Sequence, residues 1–194
     1  PQESLPPKPL SPSRLTKDED EQYDSPLSPQ RKESLARGTF VHKLLEMFAG
    51  RDFADFKSEA RAFLNVQARE YDDSFKEDIV AQVSNVLKNP DLQNLFGENS
   101  LAEAGVSGVI GADAFAGKID RLAVLDTQVL IVDYKTSRAV PDDLRKIEKA
   151  HLRQMRAYRD LISRIYPDKA VRCFLLYTVQ AKLVELPSTL LDSP

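Results

Sequence analysis

Apolar residues recur along the chain in two rhythms, and the change from one to the other divides the sequence. Between residues 35 and 49 the positions Leu35, Phe40, Val41, Leu44, Leu45 and Phe48 fall at helical spacing, and Gly50 ends the run. The same spacing recurs over 53–70 and 75–87, the latter stopped by Asn89-Pro90. From residue 100 the apolar runs become short and β-like. Residues 100–110 predict a first strand, and 119–125 with 129–134 predict a hairpin whose only polar break is Asp126-Thr127-Gln128. Pro141 is then expected to open a long helix over 142–165, with Asp142 and Asp143 near the positive end of its dipole. Its apolar face runs from Leu144 and Ile147 through Met155 to Leu161, Ile162 and Ile165. Residues 171–179 and 182–186 predict a closing hairpin around Gln180-Ala181. Helices, a strand meander, a long helix and further strands together predict an α/β sandwich with a mixed central sheet.

Composition changes this picture at the N-terminus. Residues 1–34 hold seven of the 12 prolines, no glycine and an acidic run from Asp18 to Glu21, and they offer no apolar face to bury. They are expected to be a disordered linker from a preceding region of a larger protein, with one globular domain over 35–194. No stretch approaches the roughly 20 apolar residues of a membrane span, and no secretory apolar segment opens the chain, so a soluble, cytoplasmic protein is expected. The only cysteine, Cys173, lies in an apolar run and reads as a core residue. A single cysteine excludes an intramolecular disulfide and an iron–sulfur cluster within this chain. A glycine-rich phosphate loop does not occur, so no ATP site is expected here. The net charge of −3 excludes a generally basic nucleic-acid binder and leaves any DNA contact to local patches.

The hairpin carries the chemistry. A turn centred on Asp126-Thr127 pairs Leu125 with Gln128 and sets Asp120 opposite Asp133. Carboxylates about 5 Å apart repel by roughly 3 kcal/mol at an effective dielectric near 20, so something must offset their charge. Lys135 shares a strand face with Asp133, and a divalent cation held between the acids would offset far more than one ammonium. The plainer alternative is a structural Asp-Lys-Asp cluster on a sheet face. The apolar residues flanking the hairpin place it inside the protein, where buried charge usually serves a purpose.

Asp120, twelve intervening residues and then Asp133-Tyr134-Lys135 resemble the motif of the PD-(D/E)XK nucleases, and Gly117-Lys118-Ile119-Asp120-Arg121 is the form that motif takes in their RecB-like branch. Ile119 replaces the family's nominal proline. Gly38-Thr39-Phe40-Val41-His42 upstream and Gln154-Met155-Arg156-Ala157-Tyr158 downstream match two more signatures of the branch, in the right order. The resemblance covers roughly residues 36–191 and is greatest to the C-terminal nuclease domains of AddA-type subunits of bacterial AddAB helicase-nucleases.

The resemblance implies a restriction-endonuclease-like core and Mg²⁺-dependent hydrolysis of DNA, with Mn²⁺ able to substitute. It implies that His42, Asp120, Asp133 and the main-chain carbonyl of Tyr134 hold the metal and that Lys135 orients or deprotonates the attacking water. Gln154, Tyr158, Arg121 and Glu103 are implied as DNA-binding or supporting residues. The partners implied are DNA, an AddB-type second subunit and a helicase region of the same polypeptide, acting in double-strand-break processing. From the residues alone, Glu46 is either an orienting partner for His42 or a surface acid, and Glu103 either supports the site or caps locally. Two rival functions stay open: a catalytically inactive nuclease-fold module that grips DNA or a partner, and a structural docking domain. Loss of a motif carboxylate or of the lysine would mark a relic, and none is lost.

Overall fold

The computed structural model describes residues 28–51, 54–110 and 113–193. Its first helix, α1 (Pro29–Phe48), starts earlier than the apolar pattern suggests. The Ser28 hydroxyl accepts the Arg31 N–H, and Pro29 occupies the first turn, where its missing donor costs nothing. Residues 29–34 of the expected linker are therefore helical, and residues 1–27 of it lie outside the described residues.

Helices α2 (Phe56–Gln67) and α3 (Asp73–Lys88) follow. The Asp72 carboxylate accepts the Phe75 N–H at 2.8 Å to begin α3, and Asn89-Pro90 turns the chain into a 3₁₀ segment, Pro90–Leu95. Strands β1 (Ser100–Ile110), β2 (Asp113–Val124) and β3 (Gln128–Lys135) form an antiparallel meander. Helix α4 (Lys149–Ile165) crosses over to β4 (Ala170–Tyr177), which pairs parallel with β3. Antiparallel β5 (Lys182–Leu186) and the short α5 (Ser188–Leu191) complete a five-stranded mixed sheet in the order β1-β2-β3-β4-β5.

The expected helix over 142–165 is shorter than its apolar pattern. Residues 142–148 are bends and a 3₁₀ turn, Leu144–Lys146, because Asp143 spends its carboxylate on the Arg145 N–H and side chain instead of an α-helical start. Glu148 is the cap of α4. Ile147 is buried before the helix begins, and Ile165, expected on its apolar face, is 58% exposed.

Two cores form because successive residues of a strand face opposite sides of the sheet. On one side α1, α2 and α3 pack on Ala123, Leu130, Val132, Tyr134, Phe174 and Leu176. On the other, α4 and α5 pack on Ile119, Leu122, Val129, Ile131, Cys173 and Leu175. Cys173 is a core residue as expected, and burial pushes its thiol up to about 12. Helix α4 approaches β1 so closely that a Cβ at Gly108 would meet Leu161 Cδ2 at 2.6 Å. Among the described residues no helix is long and apolar enough to cross a membrane.

Candidate active site

The β2–β3 hairpin forms in the expected register, with Arg121 opposite Val132, but that pair is the last rung of the ladder. One residue further out, Asp120 uses its side chain where a rung would have formed: Oδ2 accepts the Tyr134 backbone N–H at 2.7 Å. On the other flank of β2 the register that pairs Ala102 with Arg121 and Ala104 with Ile119 leaves Glu103 level with Asp120 and unpaired. Glu103 has φ of +49°, a left-handed backbone that a non-glycine residue adopts at a cost. That kink brings carboxylates from two strands to His42 of α1, so that one ligand atom each from His42, Glu103 and Asp120 lie within 4.8 Å of one another.

Helix α1 is held in place by Arg121. Only 2% exposed, this side chain passes from β2 into the core, where Nη2 donates to the Leu45 carbonyl of α1 at 3.1 Å and Nε donates to the Tyr134 hydroxyl at 3.2 Å. Its guanidinium also lies over the Phe96 ring. One turn before Leu45, His42 sits with Nδ1 3.4 Å from Asp120 Oδ1 and its ring edge-on to Tyr134. Burial draws the His42 imidazole down, but the hydrogen bond and charge of Asp120 outweigh it and leave it raised. Arg121 is thus a buried brace between hairpin and helix and presents no face to DNA. Glu46 pairs with Lys43 at 2.9 Å on the surface and does not orient His42.

Asp133 and Lys135 share a strand face as alternation requires, and Lys135 Nζ lies 2.6 Å from Asp133 Oδ2. The ammonium is thus the charged partner of Oδ2, which is buried and has no other among the described residues. Burial raises the Asp133 carboxyl; the Lys135 charge opposes the rise and the Asp120 charge adds to it. The His42–Glu103–Asp120 group, with this buried carboxylate of the same motif, fits a hard divalent cation, which takes oxygen ligands and would offset the acids' charge.

Gln154 and Tyr158 meet one turn apart on α4: Gln154 Nε2 donates to the Tyr158 hydroxyl, which donates to the Lys118 carbonyl at 2.6 Å. The pair, implied by the resemblance as DNA-binding or supporting residues, braces the backbone of β2 just before Asp120. Lys135 is braced by a contact the sequence does not announce. Its carbonyl accepts both the N–H and the hydroxyl of Thr178, and Gln82 of α3 donates to that hydroxyl at 2.7 Å. The one available signal was Gln82 itself, a polar residue on the buried face of a helix. His151, half-buried, stands near the Asp133–Lys135 pair; burial and the Lys135 charge lower it.

The sequence matches the profile of the PD-(D/E)XK nuclease superfamily over residues 14–189, and the chain belongs to that superfamily. No curated protein matches it significantly. Among solved structures, it is similar to a protein from Eubacterium rectale provisionally described as an exonuclease, at 8% identity and a TM-score of 0.53 over 82% of this chain and 61% of that one. The chain thus spans about three fifths of that relative's length. The protein SSO0001 is 16% identical over 77% of this chain and 75% of its own, with a TM-score of 0.33. The Eubacterium rectale likeness is one of fold alone.

Proposed function

We propose that this domain is a Mg²⁺-dependent deoxyribonuclease of the RecB-like branch, similar to the nuclease domains of AddA-type subunits. On this reading it works as an exonuclease in double-strand-break processing, in the cytoplasm, fed by a helicase region of the same polypeptide and an AddB-type partner. The observation that carries the reading is the His42–Glu103–Asp120 group, whose ligand atoms stand close enough to share one cation, together with the buried Asp133–Lys135 ion pair of the same motif.

His42 and Asp120, with Glu103 beside them, would hold the cation, and Asp133 and the Tyr134 carbonyl, which the resemblance also implies as ligands, lie outside that three-residue group and would complete the coordination from β3. Bound there, Mg²⁺ supplies a counter-charge for the phosphate and makes a water nucleophilic near neutral pH. Lys135, set by Asp133 through its side chain and by Thr178 through its carbonyl, orients that water and stabilises the negative charge developing on phosphorus-bound oxygens. Asp120 holds His42 and the Tyr134 N–H in one arrangement, so the carboxylates need not move when substrate arrives. Gln154 and Tyr158 keep the β2 backbone beneath Asp120 in place.

The test is degradation of end-labelled linear DNA by the purified chain with and without Mg²⁺. Metal-dependent release of label that disappears in Asp133→Asn is expected. Intact DNA in Mg²⁺, with binding retained, would assign the chain to the non-cutting nuclease-fold modules instead.

A further inference from the structure

We infer that the segment entering α4, together with the first two turns of that helix, forms a phosphodiester track that holds a nucleic-acid strand against the Asp133–Lys135 pair. The inference rests on the nuclease reading and names the surface through which the site takes its substrate. A cleft of about 160 Å³ opens beside that pair, walled by Lys135, Lys146, His151 and Tyr177. Across Ile147 it adjoins a second cleft of about 350 Å³, walled by Arg145, Lys149, Arg153 and Arg156 over a floor that includes Leu152 and Leu191. Six of the residues lining the two clefts are Lys or Arg, and Glu148 is the single acid among them.

Part of that charge is already balanced. Arg145 forks onto Asp143, Arg156 lies 3.9 Å from Asp160, and His151 lies 3.5 Å from Glu148. Arg153, though exposed, is partnered as well, and Lys146 and Lys149 are the remaining exposed cations of the two clefts. Lys149, Arg153 and Arg156 stand at i, i+4 and i+7 and share a helix face. They span about 10 Å of helix, enough for roughly three nucleotides at about 3.4 Å each. The larger cleft of about 680 Å³ opens on His42 and Glu103 themselves, and with Lys43 as the single Lys or Arg of its lining it offers a phosphodiester backbone fewer cations than the clefts beside α4. Continuity with Lys135 favours a strand over an acidic protein, because a strand lying in the track would deliver a phosphodiester to the reacting groups.

The experiment measures binding of fluorescein-labelled single-stranded and duplex oligonucleotides to the full chain in EDTA, as a function of salt. Replacing Lys146 and Lys149 together (Lys146→Gln with Lys149→Gln) should weaken single-strand binding and lower the slope of log K against log salt by about 1.4, at about 0.7 per phosphate contact. In cleavage assays the same variant should raise KM and leave kcat unchanged. Turnover of bis(p-nitrophenyl) phosphate, too small to occupy the track, should also be unchanged. Lys43→Gln, on the opposite cleft, should leave affinity and slope as they were. Unchanged affinity and slope in the double variant, a larger loss in Lys43→Gln, or competition by polyglutamate but not by DNA would each overturn the track. If the wild-type chain fails to cut linear DNA in Mg²⁺, the nuclease reading falls, while the binding arm still decides whether a strand lies along α4.

Discussion

The Asp120 carboxylate replaces a rung of the β2–β3 ladder by accepting the Tyr134 backbone N–H at 2.7 Å. The two motif aspartates therefore differ in their standing within the fold. Asp120 is bonded to backbone and histidine, whereas the more deeply buried Asp133 has the Lys135 ammonium as its partner.

Substitution should separate the two. A raised carboxyl favours the folded state only while protonated; that contribution is lost as pH rises through the folded value, so ionised Asp133 destabilises the metal-free protein at neutral pH. Asp133→Asn should raise the melting temperature in EDTA, by about 2–4 °C for each kcal/mol gained. Asp120→Ala removes a charged hydrogen bond worth about 1.5–3 kcal/mol and should lower it. Both should abolish cleavage. A lower melting temperature for Asp133→Asn would show that its carboxylate is satisfied without metal.

Divalent metal should offset the charge gathered by the motif carboxylates. Mn²⁺ or Mg²⁺ at a hundredfold excess over its dissociation constant should stabilise the wild-type chain by about 2.7 kcal/mol in thermal scans. His42→Ala and Asp133→Asn should lose most of that shift. Equal shifts in all three proteins would place the metal elsewhere.

Arg121 should behave as a brace. Arg121→Met breaks its bonds to Leu45 and Tyr134 and should cost about 3 kcal/mol in urea unfolding. The affinity of the remaining folded protein for DNA should be unaltered. A normal stability with weakened DNA binding would reverse the assignment and make it a DNA contact.

The support behind Lys135 can be tested by a double-mutant cycle. Thr178→Val leaves the buried Gln82 amide without its acceptor and should cost about 1–3 kcal/mol. Adding Gln82→Leu should return much of that loss, because the unpaired polar group is gone. Additive losses would show that the two side chains act independently.

The hairpin and its register were legible because alternation, a single polar break and two motif acids all pointed to one arrangement. The first strand was equally plain, with observed bounds that match the expected 100–110. What stayed hidden depended on contacts between distant segments. Nothing near Glu103 signals its left-handed backbone, and nothing near Thr178 signals its bond to Gln82, which is 96 residues away in the chain. The helix over 142–165 was overcalled because Leu144 and Ile147 keep helical spacing while serving the core from an irregular lead-in. The burial of Arg121 was obscured for a related reason. An arginine beside a catalytic motif suggests phosphate, but the strand's alternation points it into the core.

The parallel pairing of β3 with β4 also has a consequence in time. Synthesis delivers the motif hairpin first, and the strand that flanks it emerges only after the whole of α4. Until Thr178 follows, the Lys135 carbonyl has no donor and the Asp133–Lys135 face has no neighbour on that side. A nascent chain halted after α4 would carry His42, Asp120, Asp133 and Lys135 yet lack the rigid frame that aligns them. The protein would thus be harmless to nucleic acid until its last strands are made.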